Sequence, residues 1–151
     1  MLDVEVSGDV AVLAEQVPFI TGATLGPDDH ERYDHYPQGG QATLLEHCQR
    51  ALQRACTAGR NGLPLIGGGD WNDGMNRVGV SGRGESVWLT WFLMVTLKSF
   101  ASLLRQLSRG DEATWLEERW EGYRAAAEES AWDGDWYLRA FYDDGSPLGT
   151  H

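Results

Sequence analysis

Residues 87–95 read Val-Trp-Leu-Thr-Trp-Phe-Leu-Met-Val, and helical periodicity continues from this apolar run to about Leu107. On a helix, the run places apolar side chains on nearly every side, which is typical of a helix enclosed by other helices. It therefore predicts a buried central helix that enters from Ser81-Gly-Arg-Gly-Glu85. Such a helix needs more neighbours than 151 residues comfortably supply.

One further amphipathic helix is predicted before this central helix in the sequence, and another after it. The earlier one is expected to end at Gly59, and its apolar stripe consists of Leu44, Leu45, Cys48, Ala51, Leu52 and Ala55. The later one covers about Glu112 to Ser130, and one of its faces carries Trp115, Leu116, Trp120 and Tyr123.

Long segments rich in glycine, tryptophan and aspartate connect these helices. Residues 21–41 are predicted to form an irregular loop, and Asp9 is placed to cap one or two helical turns. Residues 132–142 alternate enough to predict a short hairpin-like excursion, closed by Asp143-Asp-Gly145. The pattern favours an all-α fold with long Gly/Trp-rich loops, as in an α/α toroid.

Charge restricts the class of partner. The chain has 23 acidic and 12 basic residues, a formal net charge of -11. Repulsion between like charges argues against binding to nucleic acid or to an anionic membrane surface.

The apolar stretch from Val87 to Leu97 is interrupted by two threonines and is far shorter than the ~20 residues of a membrane span. Asp3 and Glu5 replace the basic start of a signal peptide, so a cytoplasmic setting without membrane insertion by this segment is expected.

All 7 tryptophans lie between Trp71 and Trp136. An indole packs well between helices and equally well against the apolar face of a sugar ring. Core packing is the expectation for most of them, because tryptophan is on average well buried.

The loop Gly69-Asp-Trp-Asn-Asp-Gly74 follows three consecutive glycines and places two carboxylates three residues apart. Cleavage of a glycosidic bond needs a protonated acid to donate to the leaving oxygen, and a carboxyl beside an apolar ring has its pKa pushed toward that role. Trp71 could supply both this desolvation and a stacking platform. Spacing alone leaves open that the loop is only a turn, because Asp, Asn and Gly are common turn residues.

The longer string from Gly62 to Gly79, GLPLIGGGDWNDGMNRVG, resembles the glycoside hydrolase family 94 phosphorylases, and Gly82-Arg-Gly-Glu-Ser-Val-Trp-Leu89 extends the match. That family includes cellobiose and chitobiose phosphorylases and the C-terminal domain of cyclic β-1,2-glucan synthases, which looks most similar. Further matching segments are Glu15-Gln-Val-Pro-Phe19, Leu45-Glu-His-Cys48, Ala131-Trp-Asp-Gly-Asp-Trp-Tyr-Leu-Arg-Ala140 and Asp143-Asp-Gly-Ser-Pro-Leu-Gly149.

This resemblance implies that residues 1–151 are a single segment of an (α/α)6 barrel, incomplete at both ends. It implies that Asp73 is the general acid and that Trp71, Asn72 and Asp70 line the sugar subsites. Inorganic phosphate, as co-substrate, would attack a β-glucosidic bond and release α-glucose 1-phosphate with inversion, so that one protein carboxyl suffices where an inverting hydrolase needs two. The substrate would be a β-glucan or a β-linked disaccharide, with no other cofactor.

The resemblance also sets expectations for the residues around this loop and for the parent protein. Neither Arg77 nor Arg83 is expected to bind phosphate, whereas Glu85 is placed in the first turn of the central helix. The full-length parent is expected to be cytoplasmic, with attachment to the inner membrane if it is a cyclic glucan synthase, and a homodimer is compatible with it.

The run Asp28-Asp-His-Glu-Arg-Tyr-Asp-His35 is interpreted as a solvated loop, and no metal site is predicted there, because its histidines lack the spacing of a helical zinc site. His47 is interpreted as a packed or capping residue. Two other functions stay open: a catalytically inactive fragment with at most carbohydrate binding, and a helical-toroid glycoside hydrolase that uses water.

Overall fold

The computed structural model describes residues 2–24, 26 and 35–150. Its contacts divide the chain into two compact units, Met1–Ala51 and Leu52–His151. The boundary falls within one helix, α2 (Leu44–Ala55). The run Asp28–Asp34, for which no metal site was predicted, lies outside the described residues.

The first unit contains a small antiparallel hairpin. Helix α1 (Leu2–Ser7) and a 3-10 turn (Ala11–Ala14) precede strands β1 (Gln16–Ile20) and β2 (Gln38–Thr43). The Asp9 carboxylate accepts the Ala11 N–H at 2.9 Å at the start of this turn, although the residue in the N-cap position is Val10. The loop predicted over 21–41 is wrong at its end, since β2 begins at Gln38. This strand is mostly polar and exposed, so it lacks the alternation that identifies a strand.

Helix α2 begins beside a threonine cap, because Thr43 Oγ1 accepts the Glu46 N–H at 3.2 Å. The helix ends at Ala55, so the end predicted at Gly59 is four residues too late. Gly59 instead donates its N–H to the Leu63 carbonyl at 2.9 Å in the turn that follows. His47 is packed as expected: its ring stacks on Phe19 with centroids 4.0 Å apart.

The second unit is built on two long helices, α3 (Val87–Gln106) and α4 (Gly110–Ser130), which pack against each other. Both predicted helices are confirmed to within a few residues. The Ser86 hydroxyl caps α3 by accepting the Leu89 N–H at 2.9 Å. The buried side chains of this pair include Leu93, Leu97, Phe100 and Leu104 on α3 and Ala113, Leu116, Tyr123 and Ala127 on α4.

A three-stranded antiparallel sheet lies at the start of α3. Its order is β3 (Glu85–Ser86), β4 (Ala140–Phe141) and β5 (Pro147–Leu148). The predicted hairpin-like excursion is present, with Trp132 bridged to Tyr137 and β4 paired with β5. The all-α expectation is therefore wrong in detail: helices dominate, but two small sheets accompany them. Strands of two residues are too short to show a period of two in the sequence.

The expected core packing of most tryptophans is wrong for four of the seven, since Trp71, Trp88, Trp132 and Trp136 are exposed. None of the seven tryptophans, all of them within the described residues, falls in the buried class. Helix α3 is covered on one side only, since Phe92 and Val95 are 59% and 68% exposed. Trp88 stacks on Phe92 along this open side, with centroids 5.5 Å apart. The aromatic side chains that do fill the core are Phe100, Tyr123 and Phe141.

By length and composition alone, α3 could cross a membrane, with a mean hydropathy of 1.6 over its most apolar window. The expectation of an apolar stretch far too short to span is wrong on that point, because the helix runs for 20 residues. Half of this window is buried, and core helices of soluble proteins meet the same criterion. The four α-helices of the described residues do not close an (α/α)6 barrel.

Candidate functional site

The GDWNDG loop (residues 69–74) begins close to strand β3 of the three-stranded sheet. The chain enters it at Ile66, whose N–H bonds the Gly84 carbonyl at 2.8 Å. Gly67 and Gly69 then adopt φ angles of 60° and 137°, which other residues rarely adopt. The loop contains one 3-10 turn, Asp73–Met75. The glycines before it allow the chain to turn, and residues 71–74 are exposed.

Asp70 is the buried carboxylate of this loop. Its side chain is fully covered, and Arg139 binds it in a bidentate pair, with Nη1–Oδ2 and Nη2–Oδ1 distances of 2.8 Å. The Ser86 hydroxyl donates to Oδ2 at 2.6 Å, and the Asn72 N–H donates to Oδ1 at 3.0 Å. These four contacts use the roughly four acceptor positions of a carboxylate.

These contacts also determine the ionisation of Asp70. Burial alone would raise its pKa, but the hydrogen bonds from Arg139, Asn72 and Ser86, together with the Arg139 charge, outweigh it and lower the pKa to about 2. Asp70 is therefore an ionised structural partner at neutral pH. The sugar contact predicted for Asp70 stays a prediction, and in this structure its oxygens are already occupied.

Asp73 has a contrasting environment. It is the first residue of the 3-10 turn, it is exposed, and no hydrogen bond or ion pair to its carboxylate is found within residues 2–24, 26 and 35–150. Trp71 is 83% exposed. The expected desolvation of Asp73 by this indole is therefore not provided by the described chain. Asn72 caps the turn, its Oδ1 accepting the Gly74 N–H at 3.0 Å.

Arg139 is the site residue that sequence reasoning missed. It lies immediately before β4, and 69 positions separate it from Asp70. No spacing rule connects residues so far apart. Arg139 lies in the segment Ala131–Ala140, which matches the family pattern. That match did not identify Arg139, because the segment contains several other polar side chains that could equally have belonged to the site.

Two further carboxylates hold the surrounding turns. Glu85 is 1% exposed and accepts N–H groups of Asn61 and Leu63 at 3.0 Å. Its predicted place in the first turn of α3 is wrong, because Glu85 lies in β3 and Ser86 caps the helix. Asp143 accepts the N–H groups of residues 81, 83 and 84 at 2.8, 2.8 and 3.0 Å. These backbone bonds lower the pKa of Asp143 against a smaller effect of burial.

The two arginines next to this loop in the sequence are Arg77 and Arg83, and neither was expected to bind phosphate. Arg77 and Arg83 are both exposed, and the Arg83 guanidinium approaches Asp143 closely enough to contribute to its lowered pKa. Within the residues that the structure describes, no three His, Cys, Asp or Glu side chains converge as a metal site would require. The same short loop therefore carries two different carboxylates. Asp70 is ionised and both of its oxygens accept hydrogen bonds, whereas Asp73 is exposed.

Comparison with known proteins gives a family match over nearly the whole chain. Residues 6–151 match the model of the glycosyl hydrolase 94 superfamily, catalytic domain. The chain is 46% identical over 149 residues to the cyclic beta-(1,2)-glucan synthase NdvB of Rhizobium meliloti. This alignment covers 96% of the chain and 5% of that protein.

Two phosphorylases are also similar. The solabiose phosphorylase of Paenibacillus borealis is 35% identical over 147 residues, which is 96% of this chain and 17% of that protein. The cellobionic acid phosphorylase of Neurospora crassa is 32% identical over 144 residues, which is 95% of this chain and 16% of that protein. The chain thus spans less than a fifth of the length of these relatives. Because this family model matches residues 6–151, the chain belongs to the glycosyl hydrolase 94 superfamily, as part of its catalytic domain.

Proposed function

We propose that this chain supplies the general acid of a carbohydrate phosphorylase, and that Asp73 is that acid. The reaction is cleavage of a β-glucosidic bond by inorganic phosphate, or its reversal. Family membership supports glycoside phosphorolysis in general, since similar proteins are named phosphorylases and a glucan synthase. The activity belongs to the full-length gene product, which brings the remaining parts of the site.

The observation that carries this proposal is the contrast between the environments of the two loop carboxylates, Asp70 and Asp73. A general acid must take up a proton and reach the leaving oxygen. Asp70 does neither, because its oxygens are occupied and its pKa is about 2. Asp73 is exposed on the same loop and meets the requirement of access. Trp71 and Asn72 flank it and are proposed to line the sugar subsites, Trp71 by stacking on a sugar ring.

In the proposed step, a phosphate oxygen attacks the anomeric carbon from the face opposite the leaving group. The glycosidic C–O bond breaks, and Asp73 donates its proton to the departing oxygen. The product is α-glucose 1-phosphate with inverted configuration. Because phosphate is the nucleophile, no second protein carboxylate is required as base, unlike in an inverting hydrolase. We also propose the (α/α)6 barrel for the complete domain, a cytoplasmic location and, as a further expectation, a homodimeric parent.

The test uses the full-length gene product with β-1,2- and β-1,4-linked glucose disaccharides, with and without inorganic phosphate. We expect phosphate-dependent formation of α-glucose 1-phosphate, and Asp73→Asn should lower it by at least about 100-fold. Asp111→Asn, an exposed aspartate at the start of α4, is the matched control and should retain activity.

Three outcomes would contradict the proposal. Cleavage without phosphate would indicate a hydrolase. Absence of any activity in the wild-type protein would favour the inactive alternative, in which the chain at most binds carbohydrate. Retained activity in Asp73→Asn would remove Asp73 from the role of general acid.

A further inference from the structure

The Asp70–Arg139 pair is built more strongly than a surface ion pair. The Asp70 side chain is fully buried, and the Arg139 side chain is 29% exposed. Two parallel N–H···O contacts of 2.8 Å fix both the distance and the plane of the carboxylate. Bidentate pairing of this kind adds orientation to attraction, which an ammonium group cannot reproduce.

Arg139 is itself held at the sheet. Its backbone N–H bonds the Leu148 carbonyl at 2.8 Å, and its carbonyl accepts the Val87 N–H at 3.3 Å. A side chain at Gly149 would come within 2.9 Å of the Arg139 nitrogen, so β5 lies closely against this residue. The guanidinium therefore projects from a backbone that is bonded on both sides.

Ser86 connects the pair to the central helix. Its hydroxyl donates to Asp70 Oδ2 at 2.6 Å and accepts the Leu89 N–H at 2.9 Å as the cap of α3. The beginning of the GDWNDG loop (residues 69–74), hereafter the acid loop, is thus hydrogen-bonded both to the start of α3 and to the sheet.

Hydrogen bonds from Asp70 continue across the turn that contains the proposed acid. Asp70 Oδ1 accepts the Asn72 N–H at 3.0 Å, and the Asn72 carbonyl accepts the Met75 N–H at 2.9 Å. A side chain at Gly69 would lie 3.3 Å from that same Asn72 carbonyl oxygen, so the loop closes on itself. Asp73 lies inside this closed turn, and its backbone can shift only if the bonds at Asp70 and Asn72 also shift.

We propose that Arg139 is a positioning residue for the general acid: through its bidentate contact with Asp70, it fixes the turn that presents Asp73 to the leaving oxygen. This inference rests on the proposed function. Its consequence is chemical and specific. Loss of the contact impairs proton donation, and it spares phosphorolysis of a substrate whose leaving group departs without a proton.

β-Glucosyl fluoride is such a substrate. In its reaction with inorganic phosphate, a phosphate oxygen bonds to the anomeric carbon, the C–F bond breaks and fluoride leaves as an anion. No proton from Asp73 is needed. A β-linked glucose disaccharide requires protonation of its leaving alkoxide, so the two substrates separate acid positioning from all other parts of the reaction.

The experiment compares four variants of the full-length gene product on both substrates: Arg139→Gln, Arg139→Lys, Asp70→Asn and the double variant Asp70→Asn/Arg139→Gln. Arg124→Gln is the matched control, because it removes an arginine from an exposed pair with Glu121 on α4. Circular dichroism and the midpoint of thermal unfolding establish that each variant is folded. Arg139→Lys keeps the charge if Arg139→Gln does not fold.

For the disaccharide, we expect Arg139→Gln to lower kcat by about 100-fold, within the range of general acid catalysis, with KM nearly unchanged. Arg139→Lys should be only partly active because it lacks the second contact. With β-glucosyl fluoride, both variants should stay within a few-fold of the wild type. The double variant should be no worse than the poorer single variant, since both substitutions remove one contact.

Equal loss on both substrates in a folded variant would overturn the positioning role, and so would full activity of Arg139→Gln on the disaccharide. Failure of the proposed function has a different signature: the wild-type protein would then form no α-glucose 1-phosphate from either substrate. Loss of both reactions in Asp73→Asn would contradict the assignment of the acid itself.

Discussion

At the scale of single residues, the acid loop shows how surroundings separate two identical side chains. Asp70 and Asp73 belong to one sequence motif, and nothing local to the motif distinguishes their roles. Asp70 is buried against Arg139 and Ser86, whereas Asp73 lies on the exposed 3-10 turn. The distinction arises mainly from Arg139 and Ser86, which the fold brings to Asp70 from elsewhere in the chain, with one further bond from the Asn72 N–H.

The lowered pKa of Asp70 predicts a specific acid sensitivity. In the folded protein the pKa is about 2, and the ordinary value is 3.8. The stabilisation from ionised Asp70 is therefore fully present above about pH 4 and is lost as the pH falls from about 4 to about 2, an effect on the order of 2 kcal/mol. Urea unfolding at several pH values checks this. Asp70→Asn should lack this part of the acid loss, and a pH-independent difference between the two proteins would contradict the prediction.

At the scale of elements, the long helices and the hairpin near residues 132–142 were predictable, whereas the β1–β2 pairing and the pairing of β3 with β4 were not. Helices α3 and α4 span 20 and 21 residues, long enough for the helical period to show. Strands β3, β4 and β5 contain two residues each, and β3 pairs with β4 more than 50 residues later in the chain, whereas β4 and β5 belong to one hairpin. The candidate acid followed from a local motif, whereas Arg139 depended on the pairing of β3 with β4, which no local pattern encodes.

A pair of glycine substitutions tests how tightly the turns around β3 are packed. A Cβ atom at Gly84 would lie 2.5 Å from the Val78 carbonyl oxygen and 2.7 Å from Gly79 Cα, both in the backbone. Gly84→Ala should therefore lower the free energy of unfolding by about 1–3 kcal/mol.

The matched control for this substitution is Gly122→Ala in α4. A Cβ atom there would meet nothing within 4 Å, and alanine favours the helix. It should raise the free energy of unfolding by up to about 1 kcal/mol. Chemical denaturation of both variants checks the contrast. Equal effects would show that the close approach at Gly84 is relieved by small backbone shifts.

At the scale of the whole chain, the open side of α3 is an exposed apolar surface of the second unit. Trp88, Phe92 and Val95 form one stripe at helical spacing, with exposures of 36%, 59% and 68%. Isolated apolar side chains on a surface are ordinary, but a continuous apolar stripe is typical of a face that packs against other parts of a protein. This agrees with a chain that spans 5–17% of its relatives.

This stripe predicts self-association of the 151-residue chain when it is produced alone. Phe92→Lys together with Val95→Lys should reduce light scattering and dye binding to exposed apolar surface, with little change in the thermal midpoint, because neither side chain is buried. Val80→Lys is the matched control, since Val80 is 75% exposed and lies in a turn outside α3. Equal scattering from all three proteins would show that association arises elsewhere.

The separation of 69 residues between Asp70 and Arg139 also has a consequence for biosynthesis. During translation, the acid loop leaves the ribosome well before its arginine partner, and closing so long a segment carries an entropic cost. Until Arg139 arrives, burial of Asp70 would leave an unpaired charge inside the protein, which is strongly unfavourable. The loop therefore acquires its final shape after α3, α4 and the hairpin have been synthesised, which makes it among the last parts of the second unit to mature.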